Sequence, residues 1–309
     1  MKRWIFGSVA FFVTLLVGIA VAWPTLIEWG SLEPIPEPPT PQEFTSNTGI
    51  VQTDSANVQD SSELLEVFDD DINDPSKFNC QLLETGSAFH ADQIKTKNGE
   101  KWLGLFNDSG KYSLRSTTVK VKRVADELLH GPTSDQRGKL TGKSISVGGK
   151  VAPLFLVKNS HRLRQGLITT LFEGQREDWK DESVRPTYLD KNFSQSYELA
   201  GKVYDLKVSK AKNIRGEPIL ALLLEGDGKR QLLHTFWTRS EGDYGEKNWL
   251  GSVGTLYWVG DLDRDNRPDF YLSLYAHETI YAAYLLLSSE ADNGKLVKKV
   301  AVFSTSGCG

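Results

Sequence analysis

The chain has 309 residues, 25% of them charged and 39% hydrophobic, with 36 Lys and Arg set against 40 Asp and Glu. A net charge of −4, with cations scattered along the chain, removes the electrostatic basis for binding nucleic acid. Only two cysteines occur, Cys80 and Cys308, which excludes a disulfide-dense scaffold and a cysteine-ligated zinc site.

Between Arg3 and Glu28 no charged residue occurs, and the run includes Phe11-Phe12-Val13-Thr14-Leu15-Leu16-Val17-Gly18-Ile19. About 20 apolar residues span a bilayer as a helix. Lys2 and Arg3 precede the run, so the positive-inside rule keeps the N-terminus cytoplasmic and places the remainder outside. Residues 1–27 are therefore expected to be a transmembrane anchor, giving a single-pass protein whose C-terminal part is periplasmic. Ala20-Val21-Ala22 also has the small-x-small form of a signal-peptidase site, so secretion after cleavage is the alternative.

Residues 28–62 read as a linker. Leu32 to Pro41 holds five prolines and favours an extended polyproline II spacer, and the polar residues after Gln42 show no apolar period. Asp69-Asp70-Asp71-Ile72-Asn73-Asp74 has no turn glycine and reads as a solvated acidic loop.

Residues 63–185 read as a β-rich half. Trp102 to Phe106, Tyr112 to Leu114, Thr118 to Val124, Ile145 to Val147, Pro153 to Val157 and Gly166 to Phe172 are short apolar or alternating runs separated by turn residues. Ala125 to His130 has the length of one helical turn, stopped by Gly131-Pro132. The charged interval Gly174 to Pro186 either parts two subdomains or forms a long surface loop.

Residues 186–309 read as a second β-rich half. Ser196 to Ser209 and Ile219 to Leu224 are strand-like, and Asp227-Gly228 is a strong hairpin signal leading into Gln231 to Trp237. His234, inside that last run, is expected to be structural. The fold class that follows is mainly β, an antiparallel sandwich or open barrel after the N-terminal helix and linker. In an oxidising compartment Cys80 and Cys308 either pair, tying both ends of the folded region together, or remain two separate thiols.

The most specific chemistry lies in Gly260-Asp261-Leu262-Asp263-Arg264-Asp265-Asn266-Arg267-Pro268-Asp269, flanked by Leu256 to Val259 and Phe270 to Leu274. Carboxylates at positions 1, 3 and 5 of a tightly curled loop converge on one hard cation, and a carbonyl at position 7 and a carboxylate at position 9 extend the oxygen shell. Four aspartates so crowded repel one another without a cation. Position 6 favours positive φ, for which Asn266 is the next choice after Gly. Position 12 is Leu272, so the bidentate glutamate of an EF-hand is absent. The predicted metal set is Asp261, Asp263, Asp265, Arg267 through its carbonyl, and Asp269, around a structural calcium ion. Strand lengths bring Ser289, Glu290 and Asp292 back toward the loop, making Glu290 a further ligand candidate, whereas His277 and Glu278 fall roughly 15 Å away.

The stretch resembles the Gly-Asp-x-Asp-x-Asp-Gly-x-x-Asp core of FG-GAP/VCBS-type repeats of extracellular β-proteins, with Asn266 at the central Gly position and a single copy present. That resemblance implies calcium held between two strands, with side-chain oxygens from Asp261, Asp263, Asp265 and Asp269 and the carbonyl of Arg267.

No nucleotide-binding loop, nucleophile elbow or zinc-protease motif occurs. The expected function is a membrane-tethered, calcium-binding module outside the cytoplasm, with a protein or glycan ligand or an envelope-structural role. The alternative is an exported hydrolase with a structural calcium ion, for which His161, His277 and Glu278 are the first residues to test. An acidic hairpin that binds nothing is the third reading of the loop.

Overall fold

The computed structural model describes residues 77–126, 139–175, 186–213, 216, 218–237, 254–274 and 280–306. These are mainly β, paired antiparallel, and contain no α-helix. The expected anchor, the Pro-rich linker, the acidic run 69–74, most of the expected helical turn and most of the charged interval 174–186 lie outside the described residues. So do His277, Glu278 and Cys308.

Seven strands come first: β1 (Gln81–Leu83), β2 (Gly86–His90), β3 (Lys101–Asp108), β4 (Lys111–Val124), β5 (Gly142–Val147), β6 (Leu156–Lys158) and β7 (Gly166–Glu173). A short β8 (Thr187–Tyr188) follows, then β9 (Ser194–Leu199), β10 (Lys202–Lys212), β11 (Pro218–Gly226) and β12 (Lys229–Trp237). The last four are β13 (Thr255–Asp261), β14 (Asp269–Ser273), β15 (Ile280–Leu287) and β16 (Lys298–Ser306).

The main sheet runs β1-β6-β3-β4-β7-β13-β14-β15-β16, with β2, β5 and β8 branching from it. The Cys80 N–H donates to the Val300 carbonyl at 3.2 Å, so the chain entering the first strand returns beside the last one. The sheet is thereby nearly closed and barrel-like. Strand β4 is long enough to serve twice: its first part pairs with β3 and β7, its last part with β5.

The second sheet has the order β12-β11-β10-β9. Its two outer hairpins have two-residue turns, Ala200-Gly201 and Asp227-Gly228, with all four residues at positive φ (53° and 76°, 49° and 69°). Positive φ at both central positions gives the turn whose twist matches paired strands, which is why Asp227-Gly228 was legible as a hairpin.

Two cores meet along β13–β16. On one face Trp258, Tyr271, Leu285, Ala301 and Phe303 join Leu105, Leu114 and Phe155. On the other, Val259, Phe270, Leu272, Tyr284, Leu286 and Val302 pack with Tyr204, Leu206, Leu220, Leu222 and Phe236 of the second sheet. Strands covered on both faces have no reason to alternate polar and apolar residues, and β13 and β14 are buried at every position.

Cys80 is a free thiol within the first of these cores, and burial pushes its pKa up.

Candidate metal centre

The loop between β13 and β14 is anchored before it begins. Gly260 has no side chain because β7 passes against it: a Cβ there would lie 2.3 Å from the Thr169 carbonyl oxygen and 2.4 Å from the Trp258 ring. The next residue, Asp261, is still strand, opposite Thr169. Leu262 then turns inward and is buried in the first core. On the far side Gly260 pairs with Asp269, so both ends of the loop are fixed by one strand pair.

Within the turn the backbone donates to the carboxylates. Asp261 accepts the Asp265 N–H at 3.0 Å and the Asn266 N–H at 3.1 Å, one on each oxygen. Asp265 accepts the Arg267 N–H at 2.9 Å. Asn266 sits at φ 62°, the conformation expected at the sixth position, and Arg264 at φ 66° supplies a second left-handed residue. The Arg264 guanidinium reaches sideways to the carbonyls of Leu167 (3.1 Å) and Arg164 (3.2 Å), pinning the loop to β7. Gly166, at φ 138°, leaves room for it; a Cβ would lie 2.6 Å from an Arg264 nitrogen.

This curl brings Asp261, Asp263 and Asp265 together, with one carboxylate oxygen of each within 4.8 Å of the others. Asp261 is buried, and the other two are half-buried. Three such carboxylates can hold a metal ion. Hydrogen bonds already made do not prevent this, because each carboxylate oxygen has two lone-pair directions.

Electrostatics agrees with the donor set. Burial raises the pKa of Asp261, against the opposing effect of the Asn266 and Asp265 N–H groups. Burial likewise raises Asp263, with the charges of Asp265 and Asp261 adding to it. Negative charge at these positions is held at a cost that a cation would offset.

Asp269 sits beneath the cluster and is completely buried. One oxygen accepts the Leu262 N–H at 2.7 Å, and the other accepts the Ser288 N–H at 2.7 Å and the Ser288 hydroxyl at 3.0 Å. Burial drives its pKa well above the usual carboxylate range, with the Asp263 charge contributing. In this arrangement Asp269 braces the loop against the end of β15. The Arg267 guanidinium folds back onto Asp265, with Nε at 2.9 Å and a terminal nitrogen at 2.6 Å. Glu290 lies 2.8 Å from Arg162 Nε and 3.2 Å from His161 Nε2. Asp292 pairs with Lys298 at 2.9 Å.

No family model matches this chain, and no solved structure matches it. The site therefore stands on its own geometry.

Strand counting was enough to bring Ser289 back to the loop, and its hydroxyl donates to Asp263. It did not single out Ser288, whose hydroxyl lies within hydrogen-bond distance of both Asp265 (2.9 Å) and Asp269 (3.0 Å) and has one proton to share between them. The signal was present in Leu287-Ser288-Ser289: two small hydroxyl residues ending a wholly apolar strand need acceptors, and the acidic loop supplies them. His234 lies in β12 as expected of a structural residue, buried and 4.6 Å from the Phe236 ring. His161 is exposed at the surface beside Glu290.

Proposed function

We propose that the chain is a membrane-tethered β-rich module outside the cytoplasm, in which loop 261–269 holds a structural calcium ion, and that its role is ligand binding or envelope structure. The observation that carries the metal reading is the convergence of Asp261, Asp263 and Asp265. Oxygens on opposite sides of a calcium ion, at bond lengths of about 2.3–2.6 Å, lie roughly 4.6–5.2 Å apart. Separations up to 4.8 Å admit that arrangement. Asp261, Asp263 and Asp265 would bind through side chains and Arg267 through its carbonyl; the FG-GAP/VCBS-type loop that the sequence resembles would add a side-chain oxygen from Asp269. The bound ion supplies charge neutralisation. Asp269 and Ser288 hold the hairpin and the end of β15 in place around it.

The tether reading is supported by the uncharged apolar run after Arg3 and the Pro-rich stretch behind it. A protein or glycan is the class of ligand that suits such a location.

Extracellular calcium modules bind at about 10⁻⁴–10⁻³ M, so millimolar calcium should stabilise the protein by about 0.5–1.5 kcal/mol. The test is thermal unfolding of the detergent-solubilised chain with calcium and with EDTA. A rise with calcium in the wild type, absent in Asp263→Ala, supports the reading. Identical midpoints in every condition overturn it. Alkaline extraction of membranes tests the tether separately, since an anchored chain stays in the pellet.

A further inference from the structure

The chain is acidic as a whole, yet residues 95–150 contain 12 Lys and Arg against five Asp and Glu. The fold turns part of this excess into a surface. In β4, Val119 and Val121 face the first core, which leaves Lys120 and Lys122 exposed on the opposite side, in line with Thr118. Register adds the neighbours: Lys101 stands opposite Thr118, Ser146 opposite Lys120, and Ser144 opposite Lys122. Directly opposed residues share one face of a sheet. Three lysines therefore alternate with three hydroxyl residues, their Cβ atoms about 5–7 Å apart.

None of the three lysines is paired with a carboxylate among the described residues. The nearby acids are already taken, Glu100 by Lys158 at 2.9 Å and Asp126 by His90 at 2.5 Å. Unpaired ammonium groups alternating with hydroxyl donors form a donor lattice for phosphate oxygens. No aromatic ring lies among these six residues, so the face lacks the stacking platform that single-stranded nucleic acid uses. It suits the headgroups of a charged bilayer.

We infer that the face formed by Lys101, Lys120 and Lys122 docks onto anionic phospholipid headgroups of the membrane that carries the chain. This rests on the tethered reading. The 35 residues from 28 to 62 span at most about 120 Å when fully extended, so a tether of this length allows the face to reach the bilayer. Each lysine near an anionic surface contributes about fivefold to the docking equilibrium, and salt screens the effect.

The test uses the full chain reconstituted into vesicles of phosphatidylcholine alone or mixed with phosphatidylglycerol. The readout is the rate of amine labelling at Lys101, Lys120 and Lys122, with Lys111 and Lys210 as internal references. Selective slowing by severalfold in the mixed vesicles, reversed by salt, is the expected result. In K120Q/K122Q the slowing at Lys101 should disappear, while K120R/K122R should retain it; thermal unfolding of each variant confirms that it folds. Equal rates in both vesicles overturn the inference. Selective slowing by soluble polyphosphate that vesicles do not reproduce overturns it too, by assigning the face to a free polyanion. Flotation with neutral vesicles in high salt reports anchoring alone, so a failed tether is distinguished from a failed docking face. A chain that does not float is added to preformed vesicles, where the same lysine-dependent difference decides docking.

Discussion

Asp269 and Ser288 are joined twice, the same carboxylate oxygen accepting the serine N–H at 2.7 Å and its hydroxyl at 3.0 Å. The contact links the end of the acidic loop to the end of β15, 19 residues further along. Because Asp269 is wholly buried, its acceptors cannot be replaced by water. Asp269→Asn sets an amide N–H₂ against donors and should destabilise the protein by roughly 2–4 kcal/mol, read by urea denaturation in EDTA. A loss as small as that of an exposed substitution would show that the brace is dispensable.

Arg267 occupies Asp265 with its own cation. An ion binding Asp265 must compete with that guanidinium, so Arg267→Gln should tighten calcium binding by roughly 2–5-fold, the scale of one partly exposed ion pair. Without calcium the same variant should be slightly less stable. Isothermal titration separates the two effects; weaker binding in the variant would mean that the guanidinium assists the site.

Gly260→Ala is expected to be severe, because its Cβ would meet the Thr169 carbonyl at 2.3 Å. The colliding atom is backbone and cannot rotate away, so strands β7 and β13 must part. A loss of about 3 kcal/mol or more is expected, with weakened metal binding as a consequence. A glycine that starts an acidic loop is usually explained by the loop; here the neighbouring strand requires it.

His234 carries the clearest acid sensitivity outside the metal loop. Burial holds its pKa well below 6.5, and the Lys299 charge adds to the shift. The unfolded chain binds a proton below about pH 6.5 while the folded chain does not. The stability tied to neutral His234 is thus fully present above that pH and is lost as pH falls below it, by up to about 1.4 kcal/mol per pH unit. His234→Phe should flatten that part of the profile. An unchanged slope would assign the sensitivity to another group.

Much of the strand pattern was legible because the half-buried strands alternate, as Thr118 to Val124 does, and because Asp227-Gly228 allows only a tight turn. The loop was legible because aspartates at odd positions have few other uses. What remained hidden depends on distant pairing. Glu290 was brought near the loop by strand arithmetic, but not its attraction to Arg162, 128 residues away in sequence. Ser196 to Ser209 reads as one run, whereas Ala200-Gly201 folds it into β9 and β10. Nothing local marks Gln81–Leu83 as a strand; it becomes one through β6.

The seam between Cys80 and Val300 gives the sheet a late keystone. Its partners are separated by most of the described chain, so closure waits until the final strand has been made. Such distant pairing slows folding, and until it occurs the edges of β1 and β15 stay open to other chains. A product ending before Lys298 would keep its acidic loop and most of its staves yet have nothing to close them. Aggregation, rather than a smaller stable fragment, is its expected fate.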